Sequence, residues 1–132
     1  MMIHCRIVTP QGVYKEMDTP ILNVETGDGQ QGILPNHMPL VTMLKIGRMS
    51  TTEDGQRVEY AIAGGLLYFT PNQAQILTDA IESKEEIDAQ RAESAKQRAM
   101  QHLHSGDPNE DLKRATVALE KALNRLNVKN GH

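Results

Sequence analysis

Two periods divide the chain. Up to about residue 84, apolar side chains come in short runs rich in aliphatic and β-branched residues, at positions 3–8, 21–24, 58–63, 66–70 and 74–78. Runs of this length bounded by turn formers predict β-strands. Turn signals separate them at Pro10-Gln11-Gly12, Thr26-Gly27-Asp28-Gly29, Glu53-Asp54-Gly55 and Pro71-Asn72, a rhythm that predicts an antiparallel sandwich or flattened barrel. No strand–helix–strand unit is visible. Eight of the ten glycines and five of the six prolines lie at or before Pro71, whereas seven of the eleven alanines follow Lys84, so punctuation gives way to continuity there.

Beyond that point the period becomes helical. Ser83-Lys84-Glu85-Glu86 fits a capping box, in which serine and glutamate satisfy each other's orphan amides, so a helix is expected to begin there. Ala92, Ala95, Ala99 and Leu103 then recur at steps of three and four, and the pattern stops near His104-Ser105-Gly106. A second start is expected at Asp107-Pro108-Asn109-Glu110, with aspartate as cap and proline at the first helical position. Leu112, Ala115, Leu119, Ala122 and Leu126 build one apolar seam, and the short connection makes the two helices antiparallel neighbours. A seam of alanine and leucine is thin. Such a hairpin takes its stability from what it lies against and can change position at modest cost. The expected class is therefore α+β, with a β-sandwich over residues 1–84 and a two-helix antiparallel hairpin over 85–132.

Composition narrows the function classes. The 132 residues suit one domain with an appendage, and 39% apolar against 23% charged side chains is the balance of a folded core. Tyr14, Tyr60, Tyr68 and Phe69 are the only aromatics, and the net charge is -3, so stacking platforms and a basic footprint for nucleic acid are both lacking. Cys5 is the single cysteine, which leaves no disulfide and suits a reducing compartment. The first residues lack the long apolar core of a secretory signal, and no stretch reaches the ~20 apolar residues that span a bilayer, so a cytosolic or peripheral chain without direct membrane insertion is expected.

Most candidate chemistry dissolves on inspection. Gly27-Asp28-Gly29-Gln30-Gln31-Gly32 has the letters of a dinucleotide fingerprint, but Pro35 and Pro39 follow where a helix would have to open, so the glycines are read as turns. His4, His37, His102, His104 and His132 show no metal spacing and are read as solvated or capping groups, and Cys5 as a buried inert thiol. Glu82, Glu85, Glu86 and Asp88 cluster where negative charge complements a helix start. The cations are more informative. At 100° per residue, Arg91 and Arg98 share a face of the first helix, and Arg114, Lys121 and Arg125 share one of the second. Two readings stand side by side: a solvated basic face, or an anion clamp in which opposed guanidinium groups grip a polyphosphate.

Three longer motifs carry a resemblance. Gly32-Ile33-Leu34-Pro35-Asn36-His37-Met38-Pro39-Leu40-Val41-Thr42, Ala63-Gly64-Gly65-Leu66-Leu67 and Ile87-Asp88-Ala89-Gln90-Arg91-Ala92, with the closing helix at 118–126, resemble the epsilon subunit of the F-type ATP synthase, bacterial type. The resemblance implies a sandwich of about ten strands that binds the gamma subunit and touches the membrane rotor ring of c subunits around Gln30 and Gln31. It implies a hairpin that either folds on the sandwich or extends among the alpha and beta subunits and blocks ATP hydrolysis. It implies no catalytic residue, no required cofactor, and ATP as a regulatory ligand of the folded hairpin, with the part of magnesium left open. The implied ATP site comprises Glu82, Ile87, Asp88, Arg91, Ala92, Arg98, Lys121 and Arg125. Asp88 would either orient Arg91 or receive a donor from the nucleotide. Relatives that bind ATP well often carry arginine at position 121; lysine keeps the charge but loses the bidentate fork, which implies weaker binding. The implied location is peripheral, on the cytoplasmic face of the bacterial plasma membrane. Two other readings stand beside it: a stand-alone nucleotide-sensing module, and an enzyme in its own right, for which no nucleophile, metal cage or acid–base pair can be placed in one pocket.

Overall fold

The computed structural model describes residues 1–109 and 111–131; Glu110, from the second helix-start signal, and His132 lie outside the described residues. Eight strands precede two helices among them. In chain order they are β1 (Ile3–Thr9), β2 (Gly12–Thr19), β3 (Leu22–Thr26), β4 (Gly29–Ile33), β5 (Leu40–Glu53), β6 (Gln56–Thr70), β7 (Gln73–Leu77) and β8 (Ile81–Ser83), then α1 (Ala89–His104) and α2 (Leu112–Asn130). Hydrogen bonding runs in the order β2-β1-β7-β6-β5-β3-β4, with β8 added on β6.

The two long strands make the sandwich. Leu44 pairs with Gly65 and Ile46 with Ala63, and around this point the buried side of β6 changes parity, from Tyr60 and Ile62 before it to Leu67 and Phe69 after it. Strands that bend in this way carry one sheet over onto a second layer. Beyond the bend, residues 66–70 pair with β7, which pairs with β1; before it, residues 60–62 pair with β8, and Ser50 of β5 pairs with Asn23 of β3. Counting each half of β5 and β6 separately, each layer holds five segments, which reconciles the eight strands with the ten implied by the resemblance. Gly64 and Gly65 permit the bend: their φ angles are +83° and +132°, and a Cβ on Gly65 would meet the Leu77 carbonyl oxygen at 1.9 Å.

Between the layers lies an aliphatic core with two aromatic members. Ile3, Cys5, Ile7, Leu22, Ile33, Met49, Tyr60, Leu67, Phe69 and Ile76 are all essentially shielded from solvent. Burial pushes the Cys5 thiol up to about 12, as an inert thiol requires.

Several expectations need correction. Runs 58–63 and 66–70 are one strand, because a double glycine bends a ladder without ending it. β2, β4, β5 and β8 lie outside the runs that the sequence pattern predicts; β2 is an edge strand with mostly exposed or half-buried positions, so its pattern is weak. The sheet is not wholly antiparallel, since β1 and β7 pair in parallel. The capping box at Ser83 does form: Glu86 N donates to Ser83 Oγ (3.2 Å) and Ser83 N to Glu86 Oε1 (2.9 Å). It closes a turn, however, and α1 starts later, at Ala89. There Asp88 caps the helix by accepting hydrogens from the Gln90 and Arg91 amides at 3.0 and 3.1 Å. Likewise Asp107 accepts from the Asn109 amide within the connecting turn, and Asp111 is the cap of α2. Starting the helix there leaves Leu112 at its exposed end, outside the seam.

Candidate functional site

The hairpin closes on itself through small residues. Ala92 and Ala99 of α1 and Ala115 and Ala122 of α2 are buried, so the two helix backbones approach closely, as the alanine spacing predicts. Leu103, Leu119 and Leu126 are half-buried beside them. It is α2 that faces the sandwich, over the outer side of β5 and β6. Its apolar anchorage is small: Ala61 of β6, Ile87 of the connecting segment and Val128 of α2 form a three-residue cluster. Polar ties complete it. Asn124 Nδ2 donates to the Gly47 carbonyl (2.9 Å), Arg48 Nη2 to the Asn127 carbonyl (3.1 Å) and Lys129 Nζ to the Lys84 carbonyl (3.1 Å).

Beside this anchorage a cavity of about 200 Å³ opens between sandwich and hairpin. Ile46, Ala61, Ile62, Ala63, Ala80 and Ile81 give it an apolar floor, and Glu82, Lys121, Asn124 and Arg125 give it a polar wall. Arg125 Nε sits 2.7 Å from Glu82 Oε1, yet this buried N–H is not aligned on any acceptor among the described residues. The contact is thus an ion pair of charges without a well-directed hydrogen bond.

The expected site residues divide into groups. Glu82, Lys121 and Arg125 meet in this cavity. Ile87 is buried in the anchorage and Ala92 in the helix seam, so both shape the surroundings. Asp88 is committed to capping α1, and Arg91 is exposed on its first turn. Arg98 stands apart, with Arg114 and His102 along a second groove of about 560 Å³ nearer the hairpin turn. The proposed clamp is therefore split between two openings. Sequence reasoning missed the apolar floor and Asn124. Small outward residues at Ala61 and Ala63, on a strand face that would otherwise be polar, are the signal that was present.

At the other end, Gln30 and Gln31 lie on edge strand β4, paired with Glu25 and Val24. The turn before them is formed by Gly27 and Asp28 and is held by Thr26 Oγ1, which accepts from the Asp28 amide (3.1 Å). The outer side of the second layer is apolar and open: Val41, Met43 and Tyr68 are exposed, with Leu34 and Met38 beside them in the preceding segment. That segment is ordered by an amide clasp in which Asn36 N donates to Asn72 Oδ1 (2.6 Å) and Asn72 Nδ2 to Asn36 Oδ1 (3.2 Å). His37 packs edge-on against Phe69 within it. His4, solvated as expected, also bridges Asp18 (2.9 Å) and Glu16 (3.0 Å). Among the described residues no group of three or more histidine, cysteine, aspartate or glutamate side chains is placed to hold a metal ion, and no helix is long and apolar enough to cross a membrane.

Comparison with known proteins matches both parts. The ATP synthase Delta/Epsilon chain beta-sandwich domain matches residues 2–84, and its long alpha-helix domain matches residues 85–130. The ATP synthase epsilon chain of Bacillus pumilus is 42% identical over 127 residues, covering 96% of this chain and 95% of the relative. That of Bacillus subtilis is 42% identical over 126 residues, covering 96% of each. A chain of the Euglena gracilis mitochondrial ATP synthase OSCP/F1/c-ring assembly shares the fold, with a TM-score of 0.77 at 23% identity over 90% of this chain and 76% of that one. Two matched domains in the right order, and relatives alike from end to end, lead to one conclusion: the chain belongs to the ATP synthase delta/epsilon chain family.

Proposed function

We propose that this stalk subunit is a non-catalytic part that couples rotation to ATP synthesis through its sandwich and restrains ATP hydrolysis through its hairpin, with ATP as the ligand that keeps the hairpin folded. The observation that carries this reading is the placement of the 200 Å³ cavity, walled on one side by β6 and β8 and on the other by α2. An occupant of such a cavity touches both halves only while the hairpin is docked, so it discriminates between docked and released forms. The apolar floor suits a flat heteroaromatic base, and Lys121 and Arg125 suit phosphate oxygens.

The energies are compatible. Three small apolar groups and a few ties to backbone carbonyls make an interface that water can replace at modest cost. ATP at one hundred times its dissociation constant would add about 2.7 kcal/mol to the docked form. Released, the hairpin would reach toward the alpha and beta subunits. The open strip of Val41, Met43, Tyr68, Leu34 and Met38, backed by the Asn36–Asn72 clasp, is the surface offered to the gamma subunit. The edge strand carrying Gln30 and Gln31 is offered to the ring of c subunits. The subunit would sit peripherally, on the cytoplasmic face of a bacterial plasma membrane. Calorimetric titration with ATP tests the site: Lys121→Ala and Arg125→Ala should bind more weakly while the sandwich stays folded, and unchanged affinity in both would remove the site. Failure to co-purify with a gamma subunit would instead favour the stand-alone module.

A further inference from the structure

A bulge on the sandwich aims one side chain at the base of the hairpin. In the β1–β2 ladder Ile7 pairs with Lys15 and Val8 with Val13, which leaves Tyr14 as the extra residue of a β-bulge. A bulge breaks the alternation of a strand and re-aims its side chains. Here Tyr14 and Lys15, which would face opposite ways in a regular strand, both reach Tyr60. The Tyr14 ring meets the Tyr60 ring edge-on at 6.3 Å, and Lys15 Nζ donates to the Tyr60 hydroxyl (2.9 Å). The Tyr60 hydroxyl is itself engaged, donating to Glu53 Oε2 (2.6 Å), and Lys15 pairs with Glu53 at 2.7 Å. The Tyr14 hydroxyl is left to donate to Glu86 Oε1.

That same Glu86 oxygen accepts the Ser83 amide, and the Glu86 and Ile87 amides return to the Ser83 carbonyl at 3.0 and 3.2 Å. Ser83 belongs to the sheet, paired with Tyr60. The box at residues 83–86 is thus fastened to the sandwich through its own strand, through the Lys84 amide, which donates to the Glu59 carbonyl (2.8 Å), and through Tyr14. Past Glu86, what holds the segment is the burial of Ile87 against Ala61 and Val128, before Asp88 opens α1. We propose that Tyr14, turned out of its strand by the bulge, latches Glu86 and so fixes the hinge of the hairpin at Ile87 and Asp88, making residues 83–86 part of the sandwich. Tyr14 is then a positioning residue for the swing of the hairpin. The inference rests on the proposed mobility of the hairpin for its consequence, though not for its geometry.

The test uses the full chain with Tyr14→Phe, which keeps the ring against Tyr60 and removes only the donor. Amide hydrogen exchange at Glu86 and Ile87 should quicken at least tenfold while exchange in β5 and β6 is unchanged. The distance distribution between spin labels on the sandwich and α1 should broaden. Glu86→Gln keeps an oxygen that can accept both bonds and should stay near the parent; Glu86→Ala should behave as Tyr14→Phe. Unchanged exchange at Glu86 and Ile87 in both Tyr14→Phe and Glu86→Ala overturns the latch even if the hairpin is shown to move. Quickened exchange under a hairpin that never moves upholds the latch and sinks the proposed lever.

Discussion

Val128 and Ile87 bury their side chains together at the foot of the hairpin, 0% and 2% exposed, and Ala61 completes the cluster from the sandwich side. Little apolar surface therefore holds the hairpin down. Truncating Val128→Ala removes two buried carbons, worth about 1.6 kcal/mol at ~0.8 kcal/mol per methylene. The docked population should fall roughly tenfold relative to the released one, with the sandwich intact. Spin-label distances across the two parts read the first, and the urea midpoint of the sandwich the second.

Gly65 cannot carry a side chain. Its φ of +132° and the Leu77 carbonyl 1.9 Å from a built Cβ mean that Gly65→Ala must unseat the β6–β7 ladder. We expect a loss of about 3 kcal/mol or more, or failure to fold. Gly27→Ala, where a Cβ would meet nothing within 4 Å, is the control and should change stability by under about 0.5 kcal/mol. Denaturant titration of the two variants compares them directly.

Acid should weaken the sandwich and the base of the hairpin. Burial alone would raise the Glu53 carboxyl, but hydrogen bonds from Lys15, Thr51 and Tyr60 hold it below the usual range, and the Tyr14 hydroxyl together with Ser83 does the same for Glu86. A depressed folded value gives stability that is whole above the unfolded carboxylate range, near 4.5, and is lost as pH falls through the lower folded values. His4 runs the other way: Asp18 and Glu16 raise it, so its contribution is whole below about 6.5 and is lost as pH rises through the raised value. Unfolding titrations from pH 3 to 8 should show a flattened acid limb in Glu53→Gln and a flattened alkaline limb in His4→Ala.

Lys121→Arg should tighten ATP binding. The side chain borders the cavity beside Arg125, and a guanidinium offers a second directed hydrogen bond where the ammonium offers one point charge. One net hydrogen bond of ~1 kcal/mol corresponds to roughly fivefold in affinity. Parallel calorimetric titrations decide it, and equal or weaker binding would move the phosphates away from Lys121.

How much of this the sequence disclosed depended on which residues face a core. The alanine steps from Ala92 and Ala115 announced the hairpin because both helices bury one stripe. The helix starts were misread for a physical reason: Ser83 and Glu86 make the hydrogen bonds of a capping box, but Asp88 supplies a second cap after Ile87 has been tucked inward. Strand β2 escaped notice because an edge strand with a bulge at Tyr14 shows no clean alternation. The meeting of Glu82 with Arg125 is set by how α2 lies across β6 and β8, which helical spacing does not encode; spacing put Arg125 on a basic face, and only the resemblance put it in one site with Glu82. Asn124 and the floor around Ala63 needed the packed structure.

The most direct test of the hairpin as a ligand-held lever is a distance distribution between one spin label on the sandwich and one near the turn of the hairpin, recorded on the full chain without and with saturating ATP. The account predicts a broad, partly released distribution that narrows to the docked distance when ATP is added, and a loss of that narrowing in Arg125→Ala. A distribution that is single and docked from the outset, and unmoved by ATP, would contradict it.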